Sequence, residues 1–321
     1  MKALVFGGSR FIGLHLVQAL AAGGHDVAVF NRGQTQADLP PQVKRLYGDR
    51  RVSESVKAAL GGERFDVVFD ISGYLEEDLR PVLEVVRGRV DHYVFCSTTA
   101  VSAVSDILPI REDFPLDRGP RASDYAKGKI ICEDLLLTFS PEASLPVTII
   151  RPNMVYGPHN YIVQREFSFF RRIELGRKVI VPGDGFALLQ FGHVDDLADA
   201  FVLAAGKEQA FGQVYNITGA EAVTINGYIR IIGNVMGKEP EILYLSPADV
   251  RKLEKPIFPY AWRRSLFFSI DKAREQLGFW PKYDIEAGLA QTYKWYQTQD
   301  PETMGFDFSY EDEVISRYSK A

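Results

Sequence analysis

The amino-acid sequence predicts an α/β fold with a doubly wound parallel sheet, followed by a smaller α+β cap. In the first half of the chain, short apolar runs alternate with stretches of helical periodicity. This alternation is typical of a parallel sheet that helices cover on both faces. The first apolar run also leads directly into a glycine-rich turn and a new helix. Longer loops and isolated helices in the second half favour a separate cap.

Most of the predicted strands are short runs rich in apolar residues, which are typical of strands buried on both faces. They span residues 3–6, 26–30, 43–47, 66–71, 92–96 and 147–150. The predicted helices span residues 11–22, 53–60, 76–87 and 123–139. Because such a sheet opens a crevice at the carboxyl ends of its strands, we expect the functional residues there.

The glycine-rich turn occupies residues 7–13, with the sequence Gly-Gly-Ser-Arg-Phe-Ile-Gly. A strand, a glycine turn and a helix start aim free backbone N–H groups at a phosphate. Gly7 allows the tight turn, and Gly13 lets the helix pack closely on the strand. A plain surface turn is the alternative. The position directly after a buried-type strand favours a Rossmann-type dinucleotide site, although Arg10 stands at a position that is usually glycine.

The strand–helix alternation ends after Pro158. The helices predicted in this later part of the chain span residues 166–175, 195–205, 225–236 and 285–297, and its short strands span 179–181 and 241–245. We expect the dinucleotide-binding domain to comprise residues 1–157 and about 186–220, and the substrate-binding cap to comprise 158–185 and 221–300. The acidic and aromatic tail, 301–321, either packs on the body or stays mobile, and the sequence leaves both open.

Composition and charge narrow the function classes. The 321 residues carry a formal net charge of −5, which disfavours nucleic acid and anionic membranes as partners. No apolar run reaches about 18 residues, as a membrane span would. Cys96 and Cys132 lie in apolar surroundings without metal-ligand spacing. We therefore expect no metal site, no disulfide framework and a cytoplasmic protein.

Tyr125 and Lys129 lie four residues apart at the start of a predicted helix, so they share a face. A free tyrosine has a pKa of about 10, and a lysine one turn away should lower it. Ser97 and Thr98 end a predicted strand, where a hydroxyl can hydrogen-bond a substrate oxygen. Each feature alone also fits a surface helix or a helix cap. The chain carries the glycine turn, the two hydroxyls and the Tyr-Lys pair in this order. Together they indicate a catalytic dinucleotide site more specifically than any one of them does alone.

With these motifs, the chain resembles the short-chain dehydrogenase/reductase superfamily, in its extended, epimerase/dehydratase-like branch. The resemblance covers nearly the whole chain. Its motifs are residues 7–13, Gly48-Asp49, Ser97-Thr98, Tyr125 with Lys129, 151–158, 193–198, 271–273 and 277–279. The glycine-turn variant and Asn31-Arg32-Gly33 are similar to an atypical subgroup that includes chloroplast stem-loop RNA-binding proteins.

The resemblance implies roles for individual residues. Tyr125 would be the general acid/base, and Lys129 would hold the nicotinamide ribose and tune Tyr125. Thr98 would supply the catalytic hydroxyl, with Ser97 as the near alternative. His193 would have a structural role. The residues that would contact the cofactor are Gly7, Ser9, Arg10, Phe11, Ile12, Gly13, Asn31, Arg32, Asp49 (at the adenine), Arg50, Ser72, Gly73, Lys129 and Asn153 (at the nicotinamide end).

The cofactor expected from these residues is NADP, with NAD as the alternative. Asn31 stands where NAD-preferring members carry an acidic residue for the ribose 2′-OH. Loss of that carboxylate removes repulsion against a 2′-phosphate, and Arg32 and Arg10 each offer a guanidinium. A solvated surface charge is the alternative reading of Arg32.

Two functions follow. The first is an NAD(P)-dependent epimerase or reductase that acts on a small molecule, with a nucleotide sugar as the branch's commonest substrate. A 4,6-dehydratase is disfavoured, because Thr99-Ala100 replace the acidic pair such enzymes need after the catalytic hydroxyl. Cap arginines at 166–178 and 261–266 would pair with a diphosphate. The second function is RNA or partner binding on the same fold. The sequence does not determine the oligomeric state, and a homodimer is compatible with it.

Overall fold

The computed structural model describes residues 1–319, and the chain divides into two compact units. The first contains Met1–Val155, Val194–Thr218 and Phe268–Pro281. The second contains Tyr156–His193, Gly219–Phe267 and Lys282–Ala321. This division differs from the expected one at residues 186–193, which lie in the second unit. It also differs at residues 268–281, whose helix packs in the core of the first unit.

Strands and helices are numbered along the chain. The strands are β1 (Lys2–Phe6), β2 (Asp26–Asn31), β3 (Lys44–Tyr47), β4 (Phe65–Asp70), β5 (Val90–Cys96), β6 (Val147–Pro152), β7 (Val155–Tyr156), β8 (Val179–Pro182), β9 (Leu188–Leu189), β10 (Gly192–His193), β11 (Val214–Ile217), β12 (Val223–Thr224) and β13 (Ile242–Leu245). The helices are α1 (Phe11–Ala22), α2 (Ser53–Leu60), α3 (Glu76–Val86), α4 (Asp124–Ala143), α5 (Glu166–Glu174), α6 (Val194–Ala204), α7 (Ile225–Met236), α8 (Pro247–Val250), α9 (Asp271–Leu277), α10 (Ile285–Tyr296) and α11 (Ser309–Tyr318).

The first unit is built on a seven-stranded sheet with the order β11-β6-β5-β4-β1-β2-β3. All of its strand pairs are parallel, so the predicted fold class is confirmed. The six predicted strands are all present. The seventh strand, β11, was not predicted; it has only four residues, and one of them is the polar Asn216.

Helices cover both faces of this sheet, and most residues of its central strands are therefore buried. In β1, Ala3 and Val5 point to a core shared with α1, α6 and α9. Leu4 and Phe6 point to the opposite core, shared with α2, α3 and α4. Complete burial of each large apolar side chain contributes about 1.5–3 kcal/mol. The hydrophobic effect on both faces therefore fixes the sheet and the position of its carboxyl edge.

His92 lies buried near the amino end of β5. Its Nδ1 accepts a hydrogen bond from the Gly206 N–H at 3.0 Å, and its Nε2 lies 2.9 Å from Thr148 Oγ1. The Thr148 hydroxyl donates to the Ala210 carbonyl, so Nε2 carries the ring hydrogen. Burial lowers the pKa of His92 to about 4. A proton on Nδ1 would break the bond to Gly206.

We expect acid to destabilise the protein through His92. The unfolded chain takes up this proton near pH 6.5, whereas the folded chain resists it until about pH 4. Stability therefore falls as the pH drops through this window, by up to roughly 3 kcal/mol from His92. Urea unfolding at several pH values should show a smaller loss in His92→Gln than in the wild type. An equal loss in both proteins would exclude His92 as a source.

The second unit joins short strand pairs to an aromatic core. β8 pairs with β13 in parallel, and β9 pairs with β12 in antiparallel. The core includes stacked and edge-on rings of Phe169, Phe191, Tyr228 and Tyr260. Among the described residues, no helix is long and apolar enough to cross a membrane.

The tail packs within the second unit, through ion pairs with cap arginines. Asp312 of α11 pairs with Arg172 and Arg177, and Glu302 pairs with Arg171. These three arginines were expected to pair with a diphosphate, whereas in the structure carboxylates of the chain itself pair with them. Arg263 and Arg264 of the other arginine segment are exposed.

Candidate active site

The predicted cofactor and catalytic residues all lie in the first unit, at or near the carboxyl edge of its sheet. The turn between β1 and α1 depends on close contacts that glycine allows. Gly7 has a φ of +90°, and a Cβ there would lie 2.7 Å from the Ser72 Cβ. At Gly13, a Cβ would lie 2.0 Å from the Gly7 carbonyl oxygen. No acidic residue occupies the first turn of α1, and Arg10 gives the helix no side-chain cap. These features fit a dinucleotide phosphate at the helix N-terminus.

The end of β2 carries the residues predicted to read the adenine ribose. Asn31 Nδ2 donates to Ser9 Oγ at 2.8 Å, and Asn31 Oδ1 accepts the Gly33 N–H at 2.8 Å. Asn31 thus ties the β2 end to the glycine turn. Arg10 and Arg32 are exposed, and no hydrogen bond or ion pair holds either guanidinium within residues 1–319. Both cations are available to an anionic ligand.

Arg50, after β3, turns inward instead of toward solvent. Its guanidinium donates to both carboxylate oxygens of Asp70, at 2.8 and 2.5 Å, and to Ser72 Oγ at 2.8 Å. Burial raises the pKa of Asp70, but the charge of Arg50 together with the hydrogen bonds from Arg50 and Tyr93 and the charge of Lys129 lowers that pKa below its usual value. Neighbouring Asp49 stays exposed, and its carboxylate accepts the Arg51 N–H.

Asp70 was absent from the predicted site. Besides Arg50, it accepts hydrogen bonds from the Tyr93 hydroxyl and from the backbone N–H groups of Ser72 and Gly73. The available sequence signal was a second aspartate that follows the apolar residues 67–69 of this strand. Its partner Arg50 lies twenty residues earlier, which no local pattern could connect to it.

Lys129 is almost completely buried in the first turns of α4. Its Nζ donates to the Gly73 carbonyl at 2.8 Å and to the Cys96 carbonyl at 2.5 Å. It also lies 4.7 Å from the centroid of the Tyr74 ring. Burial lowers the pKa of Lys129, while the nearby Cys96 and Asp70 oppose this shift. Two of the three ammonium donors are therefore bound to the ends of β4 and β5, and one remains for a ribose hydroxyl.

Tyr125 lies one turn before Lys129 on α4 and is 47% exposed. Its ring centroid is 6.1 Å from that of Tyr74. Gly128 permits this close approach, because a Cβ there would lie 2.6 Å from the Tyr74 carbonyl oxygen. The predicted pair thus combines an accessible phenol with a buried ammonium group.

The two candidate hydroxyls after β5 have different surroundings. Ser97 is 1% exposed and donates to Glu133 at 2.5 Å. Glu133 also pairs with the buried Arg151. Thr98 Oγ1 accepts the Ala100 N–H at 3.2 Å, and its own hydroxyl proton has no acceptor in the described chain. Thr98 is therefore the better placed hydrogen-bond donor to a substrate.

The end of β6 is tied to the same region. The Thr99 hydroxyl lies 3.0 Å from Asn153 Oδ1 and 3.3 Å from the Pro152 carbonyl. Burial raises the pKa of Cys96 to about 11. In the second unit, the ring of His193 packs on Tyr156 and Tyr283. No group of metal ligands occurs among the described residues.

Comparisons with known proteins agree with this architecture. The profile of the NAD-dependent epimerase/dehydratase family matches residues 3–218. A similar curated protein is the chloroplast stem-loop binding protein of 41 kDa b from Arabidopsis thaliana. It is 35% identical, over 98% of this chain and 84% of that protein. UDP-glucose 4-epimerase of Azospirillum brasilense is 26% identical, over 91% of this chain and 90% of its own length.

A similar solved structure is dTDP-glucose 4,6-dehydratase from Bacillus anthracis, which was determined in complex with NAD. Its TM-score is 0.80 at 21% sequence identity, over 95% of this chain and all of that chain, which shows the shared fold. The family profile covers more than half of the present chain. This chain therefore belongs to the NAD-dependent epimerase/dehydratase family.

Proposed function

We propose that this protein is an NADP-dependent epimerase or reductase that uses Tyr125 as its general acid/base. The observation that carries the proposal is the accessible Tyr125 phenol one helical turn from the buried Lys129 ammonium, on the helix that packs against the ends of β4 and β5. When bound, the nicotinamide cofactor would supply or accept the hydride. The chain itself would hold the cofactor and move the proton.

Each proposed step uses a side chain of the first unit. The glycine turn would hold the pyrophosphate, with Arg10 and Arg32 near the adenine end. The remaining N–H of Lys129 would bind the nicotinamide ribose. Thr98 would donate a hydrogen bond to the substrate oxygen, while Tyr125 gives or takes its proton. We assign this role to Thr98 rather than Ser97, whose hydroxyl donates to Glu133.

Dehydratase chemistry is not part of the proposal. It would require an acid/base pair directly after the catalytic hydroxyl. Here Thr99 is 4% exposed, its hydroxyl is directed at Asn153 and the Pro152 carbonyl, and Ala100 has no ionisable group. Epimerisation and reduction both remain open to the residues that are present.

For the substrate, we propose a polar molecule that carries phosphate or sugar groups. In the second unit, a groove of about 310 Å³ is lined by Lys255, Phe258, Trp262 and Arg263, among others. The Arg263 guanidinium lies 4.9 Å from the centroid of the Trp262 ring. A cation beside aromatic surface suits a phosphorylated ring compound.

We also propose a cytoplasmic location, on the basis of two free, buried thiols.

Cofactor titration tests the proposal directly. We expect the purified protein to bind NADP more tightly than NAD in calorimetry, because Asn31 replaces a repelling carboxylate. Arg32→Ala should weaken NADP binding more than NAD binding. Equal losses would show that Arg32 does not read the 2′-phosphate. NAD binding at least about tenfold tighter than NADP binding, a gap of about 1.4 kcal/mol, would overturn the preference.

The second candidate function is RNA binding, which the name of the 35% identical relative favours. Two binding measurements on the same purified preparation distinguish RNA binding from the enzyme function. Nucleotide sugars and sugar phosphates are tested for a rise in melting temperature with NADP present, since ligands of the folded state stabilise it. Structured RNA is titrated at several salt concentrations. Tight RNA binding at physiological salt without any shift by a sugar compound would replace the enzyme proposal.

A further inference from the structure

The buried contact between Arg50 and Asp70 joins two parts of the first unit that are distant in sequence. Asp70 is completely buried, and the Arg50 side chain is 12% exposed. Three guanidinium N–H groups donate to Asp70 Oδ1, Asp70 Oδ2 and Ser72 Oγ. The Nε–H donates to the Asp78 carbonyl at 2.8 Å. Four of the five donors of Arg50 are thus engaged by the protein, which leaves little for a direct cofactor contact.

Asp70 also holds the loop after β4 through backbone hydrogen bonds. Its Oδ1 accepts the Ser72 N–H at 3.2 Å and the Gly73 N–H at 3.0 Å. Ser72 stands directly against the glycine turn, as its close approach to Gly7 shows. The ion pair between Arg50 and Asp70 therefore fixes the position of the loop residues that face the phosphate-binding turn.

The same loop reaches Lys129. The Gly73 N–H is bound to Asp70, and the Gly73 carbonyl accepts a hydrogen bond from Lys129 Nζ. A continuous path of hydrogen bonds thus runs from Arg50, beside the exposed Asp49, through Asp70 and Gly73 to the catalytic lysine. Asp49 was predicted for the adenine end of the cofactor and Lys129 for the nicotinamide end.

We propose that Arg50 and Asp70 are a positioning pair that fixes the loop at residues 72–73 between the two ends of the dinucleotide site. This inference rests on the proposed cofactor site. It assigns to Arg50 an indirect role through Asp70 and the loop, in place of the direct contact expected from the sequence. It also adds Asp70, which the sequence prediction did not contain.

An Asp70 substitution distinguishes a positioning role from a purely electrostatic one, because the two roles predict opposite changes in cofactor affinity. Asp70→Asn removes a negative charge near the phosphate-binding turn, so a purely electrostatic role would give tighter binding of the anionic dinucleotide. In a positioning role, the same change breaks the fork with Arg50, displaces the loop and weakens binding. The sign of the change in affinity therefore separates the two roles.

The experiment compares NADP binding by calorimetry in the wild type, Asp70→Asn and Arg50→Lys. Arg50→Lys keeps the positive charge but loses the planar fork that reaches Asp70 and Ser72 together. We expect at least tenfold weaker binding in both variants. Should Asp70→Asn fail to fold, Arg50→Lys tests the same pair with less disruption.

Thr148→Val is the matched control, because it removes buried hydrogen bonds at the opposite edge of the same sheet. It should lower the melting temperature without changing NADP affinity. Hydrogen exchange without cofactor should show faster exchange at residues 72–75 in the two pair variants and not in the control. Wild-type affinity or tighter binding in folded pair variants, or unchanged exchange there, would overturn the inference. Absence of dinucleotide binding by the wild type would instead refute the proposed function, and the exchange measurement would still test the pair.

Discussion

Replacing Tyr125 by phenylalanine is expected to abolish turnover and to leave NADP binding nearly intact. The phenol hydroxyl moves a proton in the reaction but contributes little to ground-state cofactor affinity. The phenylalanine ring can keep the contact with Tyr74, so the start of α4 should not change. Loss of a general acid/base reduces the rate by about 10²–10⁴-fold. Steady-state kinetics with a substrate from the nucleotide-sugar screen, together with calorimetry, measures both quantities.

Two further variants serve as controls for the effect of Tyr125→Phe on turnover. Tyr244→Phe removes another half-exposed phenol, in the second unit, and should keep wild-type turnover. Lys129→Ala should impair binding and turnover together, because it removes both the charge beside Tyr125 and two hydrogen bonds to strand ends. Wild-type turnover by Tyr125→Phe would disprove the assignment of Tyr125 as the acid/base.

A single methyl group at Gly13 is expected to disable the cofactor site. The new Cβ of Gly13→Ala would lie 2.0 Å from the Gly7 carbonyl oxygen, so backbone of the turn must move. We expect about 100-fold weaker NADP binding, roughly 2.7 kcal/mol. Overpacking of this kind also destabilises the fold by about 1–3 kcal/mol. Calorimetry and thermal melting measure the two effects separately.

Gly62→Ala provides the control for Gly13→Ala. Nothing lies within 4 Å of a Cβ at Gly62, and its backbone conformation suits other residues. Its NADP affinity and melting temperature should match those of the wild type. If Gly13→Ala bound NADP with wild-type affinity, the dinucleotide would not sit at this turn.

The sequence predicted those parts of the fold that depend on neighbouring residues. The first strand, its glycine turn and α1 follow directly from one another, so their pattern is complete within about twenty residues. The Tyr125–Lys129 pair was likewise predictable, because helix geometry places residues four apart on one face. The resemblance to a family added the roles expected of these residues.

Contacts between distant residues were not predictable in the same way. Arg50 was predicted to contact the cofactor directly, but the structure places its guanidinium against Asp70. The cap arginines looked available to a ligand, but carboxylates more than a hundred residues later pair with them. Hydrogen-bond partners of this kind depend on the completed packing, which composition and periodicity do not encode.

The docked tail has a practical consequence for choosing between enzyme and RNA-binding protein. Residues 301–321 contain five acidic and two basic side chains, and two of those acids neutralise Arg171, Arg172 and Arg177. Proteolysis before residue 301 would remove these counter-charges and uncover a cluster of cations. Such a clipped preparation would bind polyanions of any sequence through counterion release. Intact mass, measured on the sample used for each titration, separates this artefact from genuine recognition of a stem-loop.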